Sequence, residues 1–254
     1  MNDRTGQTVG AVALILGLVA LMLILALTAL HAVGTDAALY YSEQTKAGIL
    51  PRAGLSDGEL RELDHRLAAY LRGDAAALEA DPPFGAREMA HMRDCHDLFA
   101  LLRKVRRRLI PWAVLLIVGG TYLLRDGKRA RRCALLAPLI PLVPLGAFGI
   151  WAAADFGGAF TFFHRLLFRN DLWLLDPRTD LLIRVCPESM FMAMGLRVGL
   201  WSLAALVAVP AAAVLCTFIL PQSKQNEANP WKDNRATRRG PGPAPKTFEI
   251  NKRR

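Results

Sequence analysis

The sequence has no charged residue between Arg4 and Asp36, and three later stretches, 109–124, 133–154 and 198–220, are equally free of charge. The signatures of soluble chemistry are missing too. There is no GxSxG or SxxK for a hydrolase serine, no P-loop for a nucleotide, and no HExxH or CxxC for a metal. Four cysteines make no disulfide framework, and no segment repeats. These absences argue against a disulfide-stapled secreted domain, a soluble serine hydrolase and a P-loop nucleotide hydrolase.

What is present is apolar bulk and positive charge. The chain of 254 residues is 53% hydrophobic, has a mean hydropathy of +0.24 and carries a formal charge of +10. That pairing suits a polytopic membrane protein with basic flanks. The run "TVGAVALILGLVALMLILALTAL" is longer than a signal-peptide core and lacks a clear small-x-small cleavage site, so it reads as an uncleaved span. The second run is short, and Arg108 and Arg125 must snorkel to the interface.

Charge sets the orientation. Segment 125–132 holds five basic residues and one acidic, and 221–254 holds nine and three. Segment 36–108 has twelve of each, and 155–197 has five of each. The positive-inside rule places the first two in the cytoplasm and the others outside. "RKVRRR" (103–108) runs against the rule, and anionic headgroups are its expected contact. Cys133 and Cys216 then lie near the reducing side, while Cys95 and Cys186 lie outside, as a disulfide or, the favoured reading, as buried thiols.

The expected order is an N-terminus and first span (1–35), an extracytoplasmic helical segment (36–108), a second span (109–124), a basic cytoplasmic loop (125–132), a third span (133–154), an extracytoplasmic interfacial segment (155–197), a fourth span (198–220) and a disordered basic cytoplasmic tail (221–254). The fold class is all-α: four transmembrane helices with a small extracytoplasmic helical cap. The proline- and glycine-rich tail is read as a contact with membrane lipids rather than with nucleic acid.

Within the cap, Ser56 and Glu59 form a capping box ahead of Leu60, Leu63, Leu67 and Leu71. Gly73 and "DPPFG" end that helix, and "AREMAHMRDCHDLFALLRKV" runs on towards the second span. Phe156, Phe160, Phe163 and Leu167 form one stripe, as on a helix lying in the interface. Asp176 and Pro177 predict a helix start, with the helix ending before Pro187. Pro138, Pro141 and Pro144 lie nearly on one face, which predicts a kinked packing helix or a splayed one that opens a cavity towards lipid.

Five histidines carry the candidate chemistry. His31 ends the first span as an interfacial anchor, and His65 sits on a solvated helix face between Asp64 and Arg66. His91 and Asp94 share a face at i, i+3, but His96 is five positions from His91, about 140° around, so no metal site is expected. His91 and His164 remain. An isolated histidine is usually a hydrogen-bonded structural residue. Two at headgroup depth, each beside a charge (Asp94, Arg165), point to acid–base work.

"AHMRD", followed beyond the third span by "FHRLLFRNDLWLLDPRTDLLIRVCPESMF", resembles the lipoprotein intramolecular transacylase family, often called Lit. The likeness extends from the first span through "YYSEQTKAGILPRAGLSDGEL" to the fourth. It implies a multi-pass protein of the bacterial plasma membrane with its active site facing outside. It also implies transfer of the sn-2 acyl chain of a diacylglyceryl-cysteine lipoprotein to that cysteine's own amine, giving the lyso form. His91 and His164 would be the catalytic pair, diacylated bacterial lipoproteins the substrate, and no cofactor or metal would be needed. Asp94, Arg165, Asn170, Trp173, Asp176 and Asp180 would hold the His164 segment or meet the glyceryl headgroup. Cys95, Cys186 and the basic tail depart from the family pattern.

The chemistry suits such a site. Amine and ester share one molecule, so the entropic cost of bringing them together is already met. An α-ammonium with a pKa of about 7.7–8.0 must lose a proton and the glycerol oxygen must gain one. An imidazole suits both tasks; it also suits direct acyl transfer through the ring, and Arg165 or the second imidazole would serve the oxyanion. The rival class is a non-catalytic membrane protein that binds lipid or scaffolds a partner, for which both histidines would be dispensable.

Overall fold

The structure is a computed structural model that describes residues 3–124 and 126–219. The expected tail, Arg125 and the Cys216 thiol lie outside the described residues. Those described form helices and connections, with no strand among them. Four helical stretches are long and apolar enough to cross a membrane: Arg4–Val33, Ala86–Leu124, Gly127–Ala154 and Glu188–Leu215.

The first two form the spine. Helix α1 (Asp3–Val33) lies antiparallel along α6 (Ala86–Leu124). Glycines set the approach: a Cβ on Gly120 would meet the Leu14 nitrogen at 2.6 Å, and one on Gly10 the Leu124 nitrogen at 2.7 Å. Lipid offers apolar side chains no gain over another helix, so close backbone contact of this kind is what holds spans together. Leu14, Leu18, Leu124, Cys133 and Ala134 make the buried cluster at this end.

Between the spans sits the helical cap. Helices α2 (Ala37–Lys46), α3 (Leu50–Ala53), α4 (Asp57–Arg72) and α5 (Ala76–Glu79) pack with the start of α6 around Tyr40, Leu60, Leu63, Leu67, Tyr70, Leu78, Met89 and Met92. The Ser56–Glu59 capping box opens α4. The first part of α6, 86–108, carries the charges, and its apolar run begins at Leu109. Pro111 sits within the helix without ending it.

Several local expectations change. The basic segment 125–132 is no loop from Gly127 onward: α7 (Gly127–Leu136) begins there, with Asp126 accepting from the Lys128 and Arg129 nitrogens. The third stretch breaks at Ala137–Pro138, and α8 (Leu139–Ala154) follows. Only Pro138 marks the break. Pro141 falls in the first turn of α8, where the helix has no use for its missing N–H. Helix α8 packs on α9 (Phe156–Leu167) and buries no residue of its own.

Asp176–Pro177 starts a turn, not a helix. Arg178 bonds the Asp176 carboxylate and Asp180 accepts from the Asp176 nitrogen, so the helix, α10 (Leu181–Val185), starts later. The last helix, α11 (Glu188–Ile219), contains Pro210. The expected α9 stripe also splits. Phe163 is exposed while Phe156, Phe160 and Leu167 are half-buried, and the buried residues of the helix are Ala159 and His164.

Candidate active site

Two helices bring one histidine each to the same place. His91 is in the second turn of α6 and His164 in the last turn of α9. Their ring centroids are 6.2 Å apart, and each residue is 8% exposed. Aromatic rings wall the His164 imidazole: Phe160 at 4.0 Å, Trp173 at 5.0 Å, and Phe163 and Phe168 at 5.7 Å. Phe168 also stands edge-on to His91 at 5.1 Å. On the outward face of α9, Phe162, Phe163 and Leu166 are exposed.

The ring nitrogens differ. His164 Nδ1 donates to the Phe160 carbonyl at 2.8 Å, which leaves Nε2 with the lone pair. His91 Nε2 lies 3.6 Å from Cys95 Sγ, one turn along α6, and His91 Nδ1 is buried with no hydrogen-bond partner in the protein. Burial, then the neighbouring His164, pushes His91 down to about 4, against the attraction of Asp94. Burial also holds His164 below 6.5, although its bond to the Phe160 carbonyl pulls the other way. Both imidazoles are therefore neutral at pH 7. Burial raises the Cys95 thiol to about 12, so it stays protonated.

The connection from α9 to α10 is tied back to α6. Asn170 donates to the Asp94 carboxylate at 2.9 Å, and its own Oδ1 accepts from the Leu172 nitrogen. Trp173 Nε1 donates to the Asn170 carbonyl at 2.9 Å, and Arg87 donates to the Asp171 carbonyl at 2.6 Å. The structure thus joins His91, His164, Asp94, Asn170 and Trp173. Asp176 and Asp180 are occupied with each other, Arg178 and Thr179. Arg165 is exposed and makes no hydrogen bond or ion pair with the described residues.

Sequence reasoning passed over Glu88. Its buried carboxylate accepts from the Leu182 nitrogen at 2.6 Å and the Gly85 nitrogen at 2.8 Å, locking α10 onto α6 one turn before His91. A signal existed, because an acid in the first turn of a helix is a common cap. Cys95 and Cys186 are free thiols, as the favoured reading held, but half-buried and not fully buried. His65 is exposed, and His31 packs beside Phe99 with ring centroids 6.2 Å apart. No group of three or more potential metal ligands occurs among the described residues.

Four long apolar helices define an integral membrane protein, and the buried neutral imidazole pair beside exposed phenylalanines is its candidate site. The family model described as "Lipoprotein intramolecular transacylase Lit" matches residues 14–191. The chain belongs to that family, and is an acyltransferase by membership rather than a scaffold. Its fold is similar to that of the membrane-integral Lit of Bacillus cereus, at 24% identity over 85% of this chain and 96% of that one, with a TM-score of 0.61. Two variants of that protein with one histidine replaced are similar as well. The arginine variant gives 24% identity, 85% and 94% coverage and a TM-score of 0.60; the alanine variant gives 25%, 83% and 91%, and 0.59. No curated protein matches the sequence.

Proposed function

We propose that His91 and His164 jointly move the sn-2 acyl chain of a diacylglyceryl-cysteine lipoprotein onto that lipoprotein's own α-amine, at the outer face of the membrane. The observation that carries this reading is the complementarity of the two rings. His164 offers a lone pair at Nε2. We assign the protonated Cys95 thiol, 3.6 Å away, as the donor to His91 Nε2, which puts the His91 proton on Nδ1, the nitrogen without a protein partner. One ring is a base and the other a donor.

The substrate's neutral amine attacks the ester carbonyl, and a C–N bond forms. His91 Nδ1–H stabilises the resulting oxyanion, as a preorganised donor in a water-poor site does. His164 Nε2 takes the proton from the attacking nitrogen and returns it to the glycerol oxygen as the C–O bond breaks. The product is an amide with a free glyceryl hydroxyl. The neutral state of both rings suits this cycle, since a permanently charged His164 would have no lone pair to use.

Rings that face lipid around His164 would let acyl chains approach from the bilayer while the amine arrives from water. The Asp94–Asn170 tie keeps the two histidine-bearing elements in register. Arg165 is too exposed to be needed for the oxyanion.

The test is expression in a host that makes only diacylated lipoproteins, followed by mass spectrometry of one N-terminal lipopeptide. Unchanged total mass with one acyl chain shifted to nitrogen on fragmentation is the expected result. A gain of one acyl mass would show an external donor, and an unshifted chain would contradict the reading.

A further inference from the structure

Away from the histidine pair, "RKVRRR" places basic residues where the positive-inside rule does not want them. Two of these arginines have a specific setting. Phe99, Arg103 and Arg106 follow one face of α6 at i, i+4 and i+7. That face turns to the end of α1: a Cβ on Gly34 would meet Phe99 Cζ at 2.6 Å, and Phe99 lies beside His31. The end of α4 adds Arg72. Arg106, Arg103 and Arg72 are all near enough for their charges to act on His31.

Little of this charge is satisfied within the protein. Arg72 gives one N–H to the Thr35 carbonyl at 2.8 Å, and Arg103 gives one to the Leu71 carbonyl at 2.6 Å. Each guanidinium has five donors. Arg106 makes no hydrogen bond or ion pair with the described residues, and none of the three pairs with a carboxylate among them. Asp36, the nearby acid, caps α2 by accepting from the Leu39 nitrogen. His31 Nε2 is buried and lacks a partner.

Depth identifies the ligand. Arg106 precedes the apolar run of α6 by three residues, about 4.5 Å along the axis, and His31 ends the apolar run of α1. Phospholipid phosphates lie just outside the hydrocarbon, at this level. Exposed Leu30, Leu101 and Val105 offer apolar surface nearby. A free phosphate would use the arginines alone; a lipid uses both. We propose that Arg72, Arg103 and Arg106, at the junction of α1, α4 and α6, bind the phosphodiester headgroup of one anionic membrane phospholipid and so clamp the cap to the spans. This site is separate from the histidine pair and does not depend on the reaction assigned to it.

The experiment uses purified full-length protein in detergent, titrated with phosphatidylglycerol and, separately, phosphatidylcholine of the same chain length, and read by native mass spectrometry and thermal melting. Wild type should retain one phosphatidylglycerol in preference to phosphatidylcholine and melt higher with it. Arg106→Gln, which removes no protein hydrogen bond, should bind phosphatidylglycerol roughly tenfold more weakly and lose the thermal gain. Arg108→Gln should behave as wild type. Equal binding of both lipids, or unchanged binding in Arg106→Gln, would overturn the proposal. Displacement of the lipid by inorganic phosphate at matched concentration would overturn the lipid assignment in favour of a plain anion site.

Discussion

His164 Nδ1 donates to the carbonyl of Phe160, one turn earlier on α9, and that bond decides which nitrogen of the ring is basic. His164→Ala should therefore lower the acyl-transfer rate by roughly a hundredfold or more, the usual worth of a positioned base. His91→Ala should cost roughly the same through the lost oxyanion donor. Lipopeptide mass spectrometry of matched membrane preparations measures both. Retention of near-wild-type transfer by either variant would remove that histidine from the mechanism.

The pH profile follows from the direction of the shifts. A base held below 6.5 keeps its lone pair at neutral pH and loses it only as the medium turns acidic. The acceptor amine, with a pKa of about 7.7–8.0 in water, gains its lone pair as pH rises. The transfer rate should therefore climb between pH 6 and 8 with the amine. It should fall more steeply in more acid medium, below 6.5, where His164 protonates as well. A rate that declines from pH 6 to 8 would mean that a protonated imidazole is the working form.

Cys95 offers a sharper test of the tautomer. Cys95→Ser keeps a donor beside His91 Nε2 and should preserve most activity, whereas Cys95→Ala removes it and should lower the rate roughly tenfold, about one hydrogen bond's worth. The losses should appear in kcat with KM little changed, because the thiol touches the ring and not the substrate. Equal activity in both variants would show that Cys95 merely packs.

The four apolar stretches and the Ser56–Glu59 cap were legible in the sequence because each is written in neighbouring residues. The nomination of His91 and His164 came from depth, charge and the family resemblance, and the structure adds that they face each other. What the sequence did not disclose is tertiary. Glu88 reaches Leu182 across 94 positions, and Gln44 reaches the Val185 carbonyl across 141. His65 is exposed as its sequence neighbours suggest, yet Asp64 next to it is only 1% exposed. Asp176–Pro177 carried a helix-start signal that lost to a tighter alternative, the Arg178 and Asp180 contacts that close a turn. Local propensity is a weak prior against such bonds.

The α1–α6 contact predicts a stability loss without any catalytic residue being touched. Gly120→Leu would drive a side chain into the α1 backbone at Leu14 and Gly10, whereas Gly119 has open space around it. Gly120→Leu should destabilise by roughly 1–3 kcal/mol or fail to accumulate. Gly119→Leu should melt as wild type in detergent. Equal melting of the two would mean that α1 and α6 do not pack in this register.

Asp64 supplies the last test, because its charge conflicts with its surroundings. Gln44 Nε2 donates to one carboxylate oxygen at 2.9 Å, while the other oxygen, like Gln44 Oε1, is buried without a partner. Burial raises Asp64 from 3.8 to about 7, against the pull of the Gln44 bond. A folded-state pKa above the unfolded value means the fold prefers the neutral acid. The stability this group contributes is complete below about 4 and is lost as pH rises through about 7. His91 tilts the other way. With a folded value of about 4 against 6.5, it contributes stability above 6.5 that is lost as pH falls towards 4. Asp64→Asn removes only the first dependence and keeps an oxygen for Gln44. Its melting temperature relative to wild type should therefore increase from pH 4.5 to about pH 7 and level off above it, while His91→Gln should gain on wild type as pH falls from 6.5 towards 4. A difference between Asp64→Asn and wild type that stays constant over that range would show that Asp64 is ionised in the fold and reached by water.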